Sequence, residues 1–337
     1  MERSVHSSIN GSINKELAEV RFRGRTFYVP SVEICGRTVV VTGRWLRQAA
    51  IRDEDVVEGE MVEDPRLFLD RIRKSPLRAD ILTFAQKIPE TTPKHAHYFE
   101  WDNWAVVPIT SFDDWWEKRL PQETRKNVRR AAKRGLTVKS VSCDDEFVKG
   151  IERIYNESPV RQGRRFWHFG KDFETVKREA STYLDRSEFL GAYVNDELAG
   201  FIKIVYVDRT ATLMHIISKN EHQDKRPINA LLAKAVEVCC KKGNSFLIYG
   251  KYIYDGNEKS PFTEFKRRNG FEEIKYPRYF VPLTVKGRLA IQLGLHKGLK
   301  GLVPRPAVNL LRDVRSQFYQ RLYSGRENVP HPVSSAQ

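Results

Sequence analysis

Apolar and polar positions change period several times along the chain. From Val20 to Ala50, short apolar runs such as TFYV and RTVVVTG alternate with Gly, Pro and Arg, the pattern of strands separated by turns. Asp64 before Pro65 reads as the N-cap of a helix through Arg73. ADILTFAQ and NWAVVPIT read as buried strands, and SFDDWWEKRL as a short helix capped by Ser111. TVKSVS predicts a strand, and Asp144 caps a helix to about Asn156. A polar and aromatic loop, ESPVRQGRRFWHFG, leads to a helix from about Phe173 to Leu184.

Three strands follow in quick succession, FLGAYV, AGFIKIVYV and ATLMHIIS. Asn195-Asp196 and Asp208-Arg209 are connections short enough for hairpins, so the three form an antiparallel meander. From Pro227 to Lys242 the period becomes helical: Ile228, Leu231, Leu232, Ala235 and Cys239 share one face, Lys234, Glu237 and Lys241 the other. The strand FLIYG, a helix over SPFTEFKRR with Gly270 as its C′ residue, and two closing strands, FEEIK and RYFVPLT, complete the pattern.

Length and composition then narrow the class. With 337 residues the chain has room for about two domains, and 40% hydrophobic with 11% aromatic residues gives it a core. No run approaches the ~18 apolar residues of a membrane-spanning helix. The opening MERSVHSSINGSINKEL lacks the apolar stretch of an export signal, so the expected location is the cytoplasm. Cys35, Cys143, Cys239 and Cys240 form no C-x-x-C pair, which argues for reduced thiols and against a metal site.

The net charge of +15 is concentrated. Lys118 to Gly135 carries +7, and Lys286 to Gln337 carries another +7. In the first segment Arg125, Lys126, Arg129, Arg130, Lys133 and Arg134 fill about half of a helical wheel, opposite Val128, Ala131 and Ala132. Clustered like charge costs stability and suits an anionic partner such as phosphate, RNA or an acidic membrane surface. Helix 123–134 and tail 286–325 are the surfaces for it. In the tail, Leu289, Ile291, Leu293, Leu295 and Leu299 alternate with cations, which predicts a helix pair packed on the protein's own body.

The order strand, helix, helix, meander, helix, strand, helix, strands over residues 136–284 resembles the GNAT superfamily of acyl-CoA N-acyltransferases. FTEFKRRNGF is similar to the close of that fold, and TRKNVRRAAKRGLTV to the basic helix that opens the second lobe of Fem-type and BioF2-like proteins. The resemblance implies an α/β mixed-sheet, GNAT-like fold with a C-terminal helical extension. The implied organisation is a loose 1–16, an N-terminal α/β lobe 17–117, the acyltransferase lobe 118–284, a basic helical extension 285–325 and a disordered tail 326–337. Whether the first lobe repeats the second stays open.

The resemblance also implies a co-substrate, acyl-CoA such as acetyl-CoA, or aminoacyl-tRNA in the Fem-type manner, and no metal. The carrier would sit where the third meander strand and FLIYG diverge, at the N-terminus of the next helix. GNAT enzymes place a glycine-rich turn there. This chain has Lys225, Arg226, Pro227, Ile228, Asn229 and Ala230, in which two cations stand in part for the glycines. His215 on the third meander strand is the candidate base, and Tyr249 a proton donor to the leaving group, with Tyr252 and Tyr254 beside it. In the loop after the first helix, Glu157 is placed to hold an acceptor ammonium. Arg161, Gln162, Arg164 and His168 are placed to contact the acceptor. Lys266, Arg267 and Arg268 read as solvated helix-end charges.

The expected function is therefore N-acyl transfer from acyl-CoA or aminoacyl-tRNA to the primary amine of a small molecule or cell-envelope precursor. Two alternatives stand beside it: an inactive lobe that binds nucleic acid or an acidic membrane surface, and a peripheral membrane enzyme anchored by its tail.

Overall fold

The computed structural model of the chain describes residues 16–22, 25–57, 64–161, 163–254 and 256–297. They divide into two units, one holding the residues through Asn103 together with Ile274–His296, the other Trp104–Glu273. The first unit begins with β1 (Glu16–Phe22), β2 (Arg25–Ile34), β3 (Arg37–Thr42) and β4 (Gln48–Ile51). A turn of helix α1 (Glu54–Val57), helix α2 (Pro65–Lys74) and strand β5 (Ile81–Ala85) follow. Asp64 caps α2 by accepting from the N–H groups of Arg66 and Leu67, while Phe68, Leu69 and Ile72 are buried. Strand β6 (Phe99–Pro108) carries the chain into the second unit.

There, Ser111 caps the single turn α3 (Phe112–Asp114), which continues as a π-turn to Arg119. The basic helix α4 (Gln122–Lys133), strand β7 (Leu136–Val141) and helix α5 (Asp145–Asn156) come next, α5 capped by Asp144 as its sequence predicts. A small hairpin of β8 (Val160–Arg161) and β9 (Arg164–Arg165) precedes α6 (Phe173–Ala180). The meander is β10 (Ser187–Val194), β11 (Glu197–Val207) and β12 (Thr210–Ser218). It leads to α7 (Pro227–Lys241), β13 (Phe246–Ile248) and α8 (Pro261–Arg268). Strand β14 (Glu272–Pro282) returns the chain to the first unit, where α9 (Val285–Gln292) follows.

In the first unit the strand order is β1-β2-β3-β4-β5-β14, with β4 and β5 parallel. In the second it is β6-β13-β12-β11-β10-β7, with β12 and β13 parallel. Side chains alternate across the second sheet with the period of two that a strand imposes. Leu190, Ala192, Ile202, Ile204 and Leu213 pack with Leu231, Leu232 and Ala235 of α7, while Phe189 and Phe201 pack with Phe147 of α5 and Val176 of α6. The basic helix docks by the small stripe that its wheel predicts. Ala131 is fully buried, Val128 half-buried, and Thr124 donates to the Arg268 carbonyl at 2.7 Å. Ala132, expected on that stripe, is exposed.

Other expectations change. FEEIK and RYFVPLT form one strand, β14, because Pro277 is accommodated within it: its carbonyl accepts from the Gln86 N–H, and pairing with β5 begins at Arg278–Ala85. Helix α6 stops at Ala180, four residues short of Leu184, where the buried Lys203 ammonium takes the carbonyls of Ala180 and Thr182. The division between units falls within β6, upstream of residue 117, and Ile274–His296 goes with the first unit. Of the tail, α9 and the turn to Lys297 are described; the rest of 285–325, all of 326–337 and residues 1–15 lie outside the described residues. Helix α9 packs few of its large side chains on the body: Gly287 and Ala290 are buried and Ile291 half-buried, while Val285, Leu289 and Leu293 are exposed.

Candidate active site

Strands β12 and β13 pair over three positions only, Thr210–Phe246, Ala211–Leu247 and Thr212–Ile248. Beyond Ile248 the chain stays with β6: the Tyr249 N–H donates to the Ala105 carbonyl and the Ala105 N–H to the Gly250 carbonyl, both at 2.8 Å. Leu213–Ser218 of β12 therefore has β11 on one side and no strand on the other among the described residues. Backbone groups left open along a strand edge can bond an extended ligand. The two strands part, leaving a slot, where the family resemblance implies that they do.

Within that stretch β12 bulges. Leu213 lies opposite Ile204 and His215 opposite Lys203, so Met214 is the extra residue. An unbroken strand would put Leu213 and His215 on one face, as the sequence reading has it. The bulge separates them: Leu213 joins the α7 side, and His215 faces α5 and α6 with Ile217. The His215 ring lies 6.0 Å from that of His168 and 6.4 Å from Phe201.

The segment from Lys219 to Arg226 carries the chain from the slot to α7. Arg226 has φ 57°, the left-handed conformation for which a glycine is the usual choice, and no side chain caps α7. Pro227 is buried, Lys225, Ile228, Asn229 and Ala230 are half-buried, and Arg226 is exposed. The Asn229 amide donates to Asn269 Oδ1 at 2.9 Å, which ties the first turn of α7 to the end of α8. Arg134, at the end of the basic helix, donates to the Asp224 carbonyl at 2.5 Å and its carboxylate at 3.2 Å. Lys225 stands 3.9 Å from that same carboxylate.

The loop after α5 is less available than expected. Glu157 accepts from the N–H groups of Asn220 at 2.7 Å and Glu221 at 3.0 Å, and from Arg161 at 2.9 Å. Its carboxylate is spent on the loop that follows β12, so it is a positioning group rather than a free ligand for an ammonium. Arg161 is committed as well. It donates to the Ser218 carbonyl at 2.6 Å and the Ile154 carbonyl at 2.8 Å, and its guanidinium lies over Phe166 at 4.4 Å. Gln162 lies outside the described residues. Arg164 is exposed on β9. His168 is packed 4.2 Å from the Tyr155 ring, and burial, together with the Lys171 ammonium 3.2 Å away, pushes its pKa down to about 3. It stays neutral at every physiological pH.

Tyr249 and Tyr252 follow β13 in the chain and pack with the α7 side of the core, Tyr249 against Phe265 and Phe271. Burial raises the Tyr249 hydroxyl above the ordinary phenol range, so it holds its proton. Tyr252 is half-buried, and its carbonyl accepts from Thr263 at 3.2 Å. Between Tyr249 and the exposed Tyr254 lies a residue that sequence reasoning missed. The Lys266 ammonium is 4.8 Å and 4.6 Å from their ring centres and donates to the Lys251 carbonyl. The residue is 1% exposed, and burial pushes its pKa down to about 8. Its neighbours do carry the expected role, since Arg267 and Arg268 both pair with Glu264 on the outer face of α8. Spacing held the clue: Glu264 reaches the third and fourth residues after it, and Lys266 falls on the opposite side with the buried Thr263.

Glu197, Glu221 and His222 bring ligand atoms within 4.8 Å of one another, but the Lys219 ammonium pairs with Glu197 and supplies the cation there. No helix among the described residues is long and apolar enough to cross a membrane.

No protein-family model and no curated protein matches the chain. Solved structures do. FemX superposes with a TM-score of 0.56 at 12% identity, covering 84% of this chain and 90% of its own. L-PGS from Bacillus licheniformis gives a TM-score of 0.49 at 13% identity over 80% of this chain and 87% of its own. A tandem GNAT protein from the clavulanic acid biosynthesis pathway gives 0.40 at 10% over 76% and 82%. The likeness to FemX shows the fold: the chain shares the mixed α/β fold of that protein.

Proposed function

We propose that this chain is an N-acyltransferase that moves an acyl or aminoacyl group from a phosphate-bearing carrier to a primary amine. The observation that carries the reading is the open edge of β12 after Thr212, next in the chain to the uncapped start of α7. The free edge suits the extended arm of a carrier, and the positive end of the helix suits its phosphate. Lys225, Arg226, Ile228, Asn229 and Ala230 are the residues assigned to that end.

In the reaction the amine nitrogen attacks the carrier's acyl carbonyl, loses a proton, and expels a thiol or ribose hydroxyl that must gain one. His215 is the assigned base. Lys266 is assigned to the developing oxyanion, because an ammonium kept out of water acts more strongly on a nearby charge than a solvated one. Tyr249, which holds its proton, is assigned to the leaving group. Arg164 remains the exposed cation for the acceptor, with the uncharged rings of Tyr252 and His168 assigned as walls. Glu157 and Arg161 support the site by bracing the loop that enters α7.

A second reading keeps one observation of its own. Lys126, Arg129, Arg130 and Lys133 line the exposed side of α4, and Arg134 brings the end of that helix to Asp224. A cationic face that ends at the loop entering α7 suits a polyanionic carrier such as tRNA, or plain electrostatic binding without catalysis. Thermal stabilisation separates the cases. The leading reading expects a raised melting temperature with acyl-CoA or aminoacyl-tRNA, and mass spectrometry should find the acyl group on an added amine. Stabilisation by uncharged and charged RNA alike, with no acyl product from any donor, would leave only the binder. No response to either carrier would remove both.

A further inference from the structure

Helix α9 is amphipathic in the wrong sense for a helix lying on its own protein. Its small residues face inward: a Cβ on Gly287 would stand 1.9 Å from the Asp80 carbonyl oxygen, and Ala290 is 2% exposed. Apart from the half-buried Ile291, its branched residues face water. Val285, Leu289 and Leu293 recur at a spacing of one turn and are 74%, 53% and 66% exposed. Trp45, in the turn between β3 and β4, joins this stripe at 63% exposure. Lys286 fixes it there, donating to the Trp45 carbonyl and standing 4.9 Å over its ring.

Beside the stripe, in the same unit, opens a cavity of about 400 Å³ lined by Arg47, Arg73, Arg78, Asp80, Leu77 and Lys286. Asp80 is already engaged by the Arg47 N–H at 2.9 Å, the Thr284 hydroxyl at 3.0 Å and Lys286 at 3.6 Å. The guanidiniums of Arg47, Arg73 and Arg78 have no carboxylate partner among the described residues. An apolar stripe thus lies against a cluster of four cations with Asp80 as the one carboxylate in the cavity lining among the described residues.

We propose that this face docks the protein on an anionic phospholipid surface, with Trp45, Val285, Leu289 and Leu293 entering the boundary between headgroups and acyl chains and the arginine-lined cavity taking a lipid phosphate. A bilayer offers phosphate and hydrocarbon within a few ångströms, which matches the juxtaposition here. A soluble phosphate would leave the stripe in water. A second copy of the chain would bring like-charged guanidiniums together. Residues 298–337, with six cations against Asp313 and Glu327, would add positive charge to a positive rim. The proposal uses no residue of the acyl-transfer slot and stands or falls without it.

Sedimentation of the full chain with vesicles tests it, comparing phosphatidylcholine alone with phosphatidylcholine containing phosphatidylglycerol. Binding to the anionic vesicles that weakens as salt rises is expected. At about 1 kcal/mol per cation, Arg73→Gln with Arg78→Gln should weaken it roughly thirtyfold, and Trp45→Ala with Leu289→Ser by about tenfold or more. These side chains are exposed, so melting curves should match the parent and separate lost docking from lost folding. Equal or absent binding to the two vesicle types overturns the proposal, as does undiminished binding by both variants. Release by millimolar glycerol phosphate at constant ionic strength would point to a soluble ligand and also overturn it. A dimer that Leu289→Ser dissolves, without vesicle binding, would assign the face to a second copy and overturn it too.

Discussion

A lysine buried without a carboxylate lowers stability, and Lys266 therefore separates the needs of folding from those of function. Its folded pKa of about 8 lies below the ordinary lysine value of 10.5, so the unfolded chain binds more protons between those two pH values. The destabilisation is complete below about pH 8 and is relieved as pH rises toward 10.5. Lys266→Met should raise stability by ~1–3 kcal/mol in denaturant melts near pH 7 while abolishing acyl transfer. If Lys266 acts as a cation, kcat/KM should fall above about pH 8, and Lys266→Arg should push that limb upward. A rate that instead rises through pH 8 would make it a base. His168, with its pKa near 3, should add no step to that profile, and His168→Gln should leave its shape unchanged. For Glu157 the expected loss is structural. Glu157→Gln keeps one acceptor for three donors and should cost ~1–3 kcal/mol, raising KM for the donor more than it lowers kcat.

At the scale of the element, two local departures from regularity shape the slot. The bulge at Met214 decides which way His215 points, because strand residues alternate faces and one inserted residue reverses every side chain beyond it. Deleting Met214 makes Leu213 and His215 neighbours on a regular strand, so His215 should keep its α5 and α6 side and acyl transfer should persist. A loss of about a hundredfold or more in kcat, with the circular dichroism spectrum of the sheet retained, would mean that the bulge itself sets the imidazole position. The other departure is Arg226, a non-glycine residue in left-handed backbone. Arg226→Gly should relieve about 1 kcal/mol of strain and raise the melting temperature. A fall in stability would mean that the exposed guanidinium contributes more than the backbone loses.

For the whole molecule, the distribution of charge sets the carrier question. Neutralising Lys126, Arg130 and Lys133 together should leave acyl-CoA affinity near its parent value if CoA is the donor. It should reduce affinity for aminoacyl-tRNA on the order of tenfold or more at low salt, and flatten its salt dependence, if RNA is the donor. Isothermal titration with each carrier at two ionic strengths distinguishes these outcomes. The cationic cluster around Arg47, Arg73 and Arg78 was not visible as a charge run, because its members come from the turn before β4, from α2 and from the chain after it, and are joined by Lys286 of α9 only on folding.

Period and end-signals were enough to place Asp64, Ser111, Asp144 and Gly270 at helix ends and the three strands of the meander, while the parting of β12 from β13 was what the family resemblance implied. These are local properties: a cap acts within one turn and a strand alternates with a fixed repeat. Contacts between distant segments decided the rest. Glu157 found two backbone donors more than sixty residues away, Lys266 was enclosed by tyrosines of the segment after β13, and a single bulge reversed His215. Burial and hydrogen-bond commitment belong to the surroundings that packing creates, so the same residue letters read as free ligands in the chain and as braces in the fold.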